Sequence, residues 1–115
     1  MPENYVTVPA ERGDIHISED VIAVIAAGAI HESEGVAAMS APLDGGAIRK
    51  GPARGVRVKL EDGVVHVEAA ILARYGESIA AIGERAQKSA AEALESMTGL
   101  KSVVDVYVAG VTFDK

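Results

Sequence analysis

From Gly55 to Tyr75 the chain runs GVRVKLEDGVVHVEAAILARY, two stretches of alternating apolar and polar residues on either side of Asp62-Gly63. A period of two is the signature of a half-buried strand, because successive side chains point to opposite faces. Asp-Gly accepts positive φ at both central positions, so it predicts a two-residue hairpin turn. With the turn fixed there, Leu60 faces Val65, Val58 faces Val67 and Val56 faces Ala69 on one side. Lys59 then faces His66 and Arg57 faces Glu68 on the other. A slip of one residue would mix the two sets on both faces, so the pattern specifies its own register.

Helical spacing flanks this hairpin. GDIHI, Gly13 to Ile17, alternates and reads as a short strand. Ser18 is placed to cap a helix, with Glu19 and Asp20 at its positive end. Ile22, Ile25, Ala26, Ala29 and Ile30 form the apolar stripe, and Glu34-Gly35 is the expected stop. Gly28 in the middle costs about 1 kcal/mol of helix propensity relative to Ala, which predicts close packing on a strand. GVAAMS is read as a further short strand. Ser78 to Met97 is the second helix, with Ile79, Ile82, Ala86, Ala90, Ala93, Leu94 and Met97 as its stripe and Gly99 as its stop. Glu84–Lys88 and Lys88–Glu92 are spaced for ion pairs on its outer side. In SVVDVYVAGVTF the apolar phase set by Val104, Val106 and Val108 shifts to Val111 and Phe113, which predicts a bulge at Ala109-Gly110. Residues 1–12, with two prolines and no sustained period, read as a loose leader before a domain spanning 13–115. The fold class is thus α+β: one domain, two helices on one face of a small, largely antiparallel sheet, in the order β-α-β-β-β-α-β.

Composition narrows the function classes. The chain has 115 residues, 49% hydrophobic, yet aromatics are 3% and tryptophan is absent. Its core must come from Val, Ile, Ala and Leu, which leaves few large residues to anchor an interface. A net charge of −6 opposes general nucleic-acid binding, which needs a basic face. The absence of cysteine removes disulfides, thiolate nucleophiles and cysteine-based metal sites. No signal segment opens the chain, and the apolar run Val21 to Ile30 is too short to span a bilayer, so a cytoplasmic location is expected.

Candidate chemistry is sparse. Gly46 to Gly51 gives the G-x-x-x-x-G spacing of a phosphate loop, but Pro52-Ala53 follows where Lys and Ser or Thr are needed. The loop also leads into a strand rather than a helix N-terminus. What remains is charge: Arg49, Lys50, Arg54, Arg57 and Lys59 are unbroken by any acid between Asp44 and Glu61. They form a candidate patch for an anionic ligand or lipid surface, or else a set of solvated charges on a loop and a strand. His16, His31 and His66 are scattered, without metal-ligand spacing. The serines lie in cap, loop and helix-surface settings, and the carboxylates form no evident pair. No catalytic, metal or cofactor-binding residue is therefore assigned, and no enzyme activity is expected. A second candidate surface is the hairpin's outward face, where Val64, His66, Leu72 and Arg74 gather, with Tyr107 outward on the last strand.

Several segments together carry a family resemblance. These are Gly13-x-Ile15-x-Ile17 with its helix; Glu32, Gly35, Val36 and Met39; Tyr75-Gly76; Met97 to Leu100; and the closing Val104-x-Val106-x-Val108-x-Gly110-Val111-x-Phe113. In this order and spacing, over about residues 13–113, they resemble the alkaline shock protein family, also called the envelope stress response family. The resemblance implies a small bacterial cytoplasmic protein without catalytic residues or cofactor, linked to alkaline or cell-envelope stress. It also implies self-association or a protein partner, in some members a membrane-anchored one that holds the protein at the inner face of the membrane. On this basis the expected function is a non-enzymatic envelope-stress protein working through such contacts. The alternative is an anionic-ligand or lipid-surface module using the basic segment 49–59.

Overall fold

A computed structural model describes residues 5–40 and 54–113. Six strands and two helices follow in the order β1 (Tyr5–Val8), β2 (Ile15–Ser18), α1 (Glu19–His31), β3 (Val36–Met39), β4 (Val56–Glu61), β5 (Val64–Arg74), α2 (Ile79–Thr98) and β6 (Ser102–Thr112). From β2 onward this is the expected α+β order. The addition is β1, which pairs antiparallel with β2, Val6 opposite Ile17, in a small sheet of its own. The segment expected as a loose leader therefore contains a strand, held because Val6 is 1% exposed within the core. Its alternation covers only Val6 and Val8 before Pro9, too short a run to register as a period.

The main sheet is organised around β5. Its first half pairs antiparallel with β4 and its second half with β3, so β3 and β4 lie end to end along one edge. They meet at Ala70, whose N–H donates to the Gly55 carbonyl (3.0 Å) and whose carbonyl accepts from the Ser40 N–H (2.8 Å). On the other edge β6 runs parallel to β5 from Val65↔Ser102 to Arg74↔Thr112. The hairpin register is the expected one at every pair, with Asp62 at φ 53° and Gly63 at φ 77° in the turn. The bulge in β6 also stands where expected: Ile71 is opposite Val108 and Leu72 opposite Gly110, leaving Ala109 as the extra residue.

Both helices pack on one face, α1 over β3 and β4 and against α2, which covers β6. Ser18 and Ser78 cap them, their hydroxyls accepting from the N–H groups of Val21 (3.1 Å) and Ala81 (3.2 Å). Gly99 ends α2 in the left-handed conformation. The core between helices and sheet is aliphatic: Ile22, Ile30, Ile71, Ile82 and Leu94 are its largest members, with alanines from both helices between them.

Four helical expectations need correction. Helix α1 ends at His31 rather than near Glu34-Gly35, because the Ser33 N–H folds back to the Ile30 carbonyl (2.9 Å) and starts the turn into β3. Gly28 is exposed with nothing within 4 Å of where a Cβ would stand, so no strand approaches it. Within α2, Ile79 and Met97 sit in the terminal turns and stay 38% and 68% exposed, while Thr98 is buried instead. Its hydroxyl donates to the Leu94 carbonyl (2.6 Å) and accepts from the Leu100 N–H (3.1 Å), which makes that burial tolerable. The spaced Glu84, Lys88 and Glu92 form no ion pair among the described residues; the neighbouring Arg85 instead meets Glu77 (2.6 Å) and the Glu34 carbonyl.

Candidate interaction surfaces

The period of two in β5 sends Val65, Val67, Ala69, Ile71 and Ala73 into the core and the residues between them outward. Val64, His66, Leu72 and Arg74 are thus on one face, opposite the helices, as the alternation predicts. Tyr107 joins them because it stands beside Ala70 across the parallel pairing, and it is 45% exposed. Arg74 is partly committed, its guanidinium donating to the Val36 carbonyl (3.3 Å).

The same face settles the setting of part of the basic segment. Arg57 lies opposite Glu68 with their charged groups 3.8 Å apart, and Lys59 is 3.3 Å from Glu61. His66 Nε2 is 3.7 Å from the other oxygen of Glu61. With Asp105 beside Glu68, these side chains line an open groove of about 430 Å³. Three carboxylates against two fixed cations leave the groove slightly acidic, and cross-strand pairs of this kind stabilise the sheet by a few tenths to about 1 kcal/mol. Arg54 is exposed at the entrance to β4. Arg49 and Lys50, like the whole Gly46 to Gly51 spacing, lie outside the described residues.

Two further surfaces carry apolar groups that periodicity alone assigns to no site. At one end of the sheet the rings of Tyr75 and Phe113 are in tilted contact, centroids 4.7 Å apart, with Ile79 and Val111 beside them. The Tyr75 N–H donates to the Thr112 carbonyl (2.9 Å), so the bulge in β6 is what brings the two rings together. Along α1, Val21 and Val24 remain 49% and 43% exposed on the side that carries Gly28. The mixed sequence of α1, apolar on nearly every side, hides this face: its stripe is wider than the surface the sheet and α2 can cover. Of the histidines, His16 bonds the Thr7 hydroxyl through Nδ1 (3.1 Å) and His31 ends α1, so the three stay apart.

Comparison with known proteins bears on this geometry. Two curated proteins of Bacillus subtilis (strain 168) are similar to the chain. "Uncharacterized protein YloU" is 32% identical over 106 residues, covering 86% of this chain and 88% of its own length. "Uncharacterized protein YqhY" is 28% identical over 107 residues, covering 89% and 79%. No solved structure gives a significant match. The match to a family of cell envelope-related function runs over residues 7–113, from within β1 to the ring of Phe113. All of β2 to β6, both helices and the aromatic end fall inside that span, and the chain belongs to the alkaline shock-type family, with its cell envelope-related function.

Proposed function

We propose that the protein is a non-enzymatic envelope-stress protein that works by self-association and by contacts with protein partners. One observation carries this reading. The chain has three tyrosines and one phenylalanine, and every one is on the surface: Tyr5 at 44%, Tyr75 at 70%, Tyr107 at 45% and Phe113 at 73%. A chain that builds its core from small aliphatics and leaves all its aromatics outside has placed its best contact residues where a second molecule can reach them. Tyrosine and phenylalanine contribute large apolar area at low conformational cost, the property that makes them anchors of interfaces. The paired charges of the outward groove favour the same reading, since a neutralised surface is less costly to desolvate than a patch of one sign. Among the described residues no helix is long and apolar enough to cross a membrane; the route to the envelope in this proposal is a protein partner.

Light scattering after size-exclusion chromatography, across a wide concentration range, tests the first half of the proposal. Mass above the 11.9 kDa monomer that rises with concentration is expected. Cross-linking and pull-down from the native cell, with and without alkaline stress, tests the second. A strict monomer at high concentration with no specific co-purifying protein would refute the proposal.

A further inference from the structure

We infer that the outer edge of β6 is the self-association site, and that a second copy of this chain adds its own β6 antiparallel to it. The inference rests on the self-association reading and names where that contact is made. In a parallel ladder alternate residues of a strand turn their N–H and C=O toward the neighbour. The Val65 N–H donates to the Lys101 carbonyl (3.0 Å), so the odd-numbered residues of β6 face β5 up to the bulge. Ser102, Val104, Val106 and Val108 therefore turn their backbone groups outward. The one side chain that meets them among the described residues confirms the direction: Gln87 Nε2 donates to the Val104 carbonyl (3.1 Å). No strand pairs with that edge among the described residues.

Exposed edges are normally blunted by lysine, proline, inward charge or a bulge. From Ser102 to Val108 this strand has no proline and no lysine, and its single charge is Asp105. The bulge comes only afterwards, at Ala109, and bounds the usable edge. A second copy is the occupant that fits. With the two-fold axis at Val106, Val104 of each copy opposes Val108 of the other, and Asp105 opposes Tyr107, so no like charges face one another. Val106 and Val108, half-buried against the core, would have their open flank covered by the same residues of the second copy. The N–H of the second copy's Val108 replaces Gln87 Nε2 at the Val104 carbonyl. A peptide of unrelated sequence would supply the hydrogen bonds without this match of side chains.

Val106→Pro tests the edge directly, since proline removes a donor that β5 does not use and is tolerated on the open side of an edge strand. Wild type at high concentration is expected at twice the monomer mass or more, and Val106→Pro at the monomer mass with unchanged circular dichroism. If both assemble alike, the edge inference fails while self-association stands; if wild type never assembles, both fail. Should Val106→Pro not fold, cross-linking decides, because the chain has no cysteine of its own. In this register residues 105 and 107 of the two copies form a non-hydrogen-bonded pair, about 4.5 Å between Cα atoms, within disulfide range. Asp105→Cys and Tyr107→Cys chains, mixed under oxidation, should link to each other at least tenfold faster than either links to itself or to a Val24→Cys control. Equal rates overturn the inference.

Discussion

Gly55 sits at φ +83°, and a Cβ there would run into the Ser40 carbonyl oxygen and stand 3.2 Å from that of Ala70. Both obstacles are backbone, so neither can rotate away. Gly63, in the hairpin turn, has φ +77° but nothing within 4 Å. The two glycines separate conformational strain from close approach. Gly63→Ala is expected to cost only the left-handed penalty, about 1 to 2 kcal/mol. Gly55→Ala should cost about 2 kcal/mol more, because the ends of β3 and β4 must part. Urea denaturation of the two variants measures the difference, and equal losses would mean that the Ser40–Gly55 junction yields freely. The sequence shows Gly55 only as the last letter of a glycine-rich run, since its neighbour in space is fifteen positions earlier.

At the scale of elements, the helices show how far periodicity reaches. Ile79 and Ile82 occupy one stripe of α2 by spacing, yet Ile82 is fully buried, touching Gly35, and Ile79 is 38% exposed. Ile82→Ala is therefore expected to lose about 2 to 5 kcal/mol, cavity included, and Ile79→Ala under about 1 kcal/mol. Thermal or chemical unfolding of both variants checks this, and a comparable loss at Ile79 would show that the aromatic end is part of the core. The bulge in β6 was legible because a phase change within one strand is local information. The pairing of β3 and β4 with successive halves of β5 was not, because strand order depends on contacts far apart in the chain.

For the whole molecule, charge and its arrangement oppose each other less than composition suggests. The net charge is −6, and two of the five clustered cations, Arg57 and Lys59, face Glu68 and Glu61 across or along the sheet. Of the other three, Arg54 is exposed and Arg49 and Lys50 lie outside the described residues; even at about 1 kcal/mol each near an anionic bilayer, they act against the long-range repulsion of an acidic protein. Co-flotation with anionic vesicles is expected to be weak at low salt and absent at physiological ionic strength. Strong flotation that disappears on changing Arg49, Lys50 and Arg54 to Ala would favour the lipid-surface reading instead.

The sequence by itself determined the α+β class, the hairpin and its register, the Ser18 cap of α1, the Gly99 stop of α2, the bulge and the family, because each is written in short-range periodicity, turn chemistry or motif order. It also separated the two faces of β5, and so brought Val64, His66, Leu72 and Arg74 together. Only the tertiary structure decided that β1 is a strand, that Tyr75 and Phe113 meet, that Asp105 comes beside Glu68, and that among the described residues no strand pairs with the outer edge of β6. The physical reason is common to all four. A strand as short as β1 gains its stability from the core it reaches, and partners across a sheet are fixed by the path of the chain, which no local pattern records.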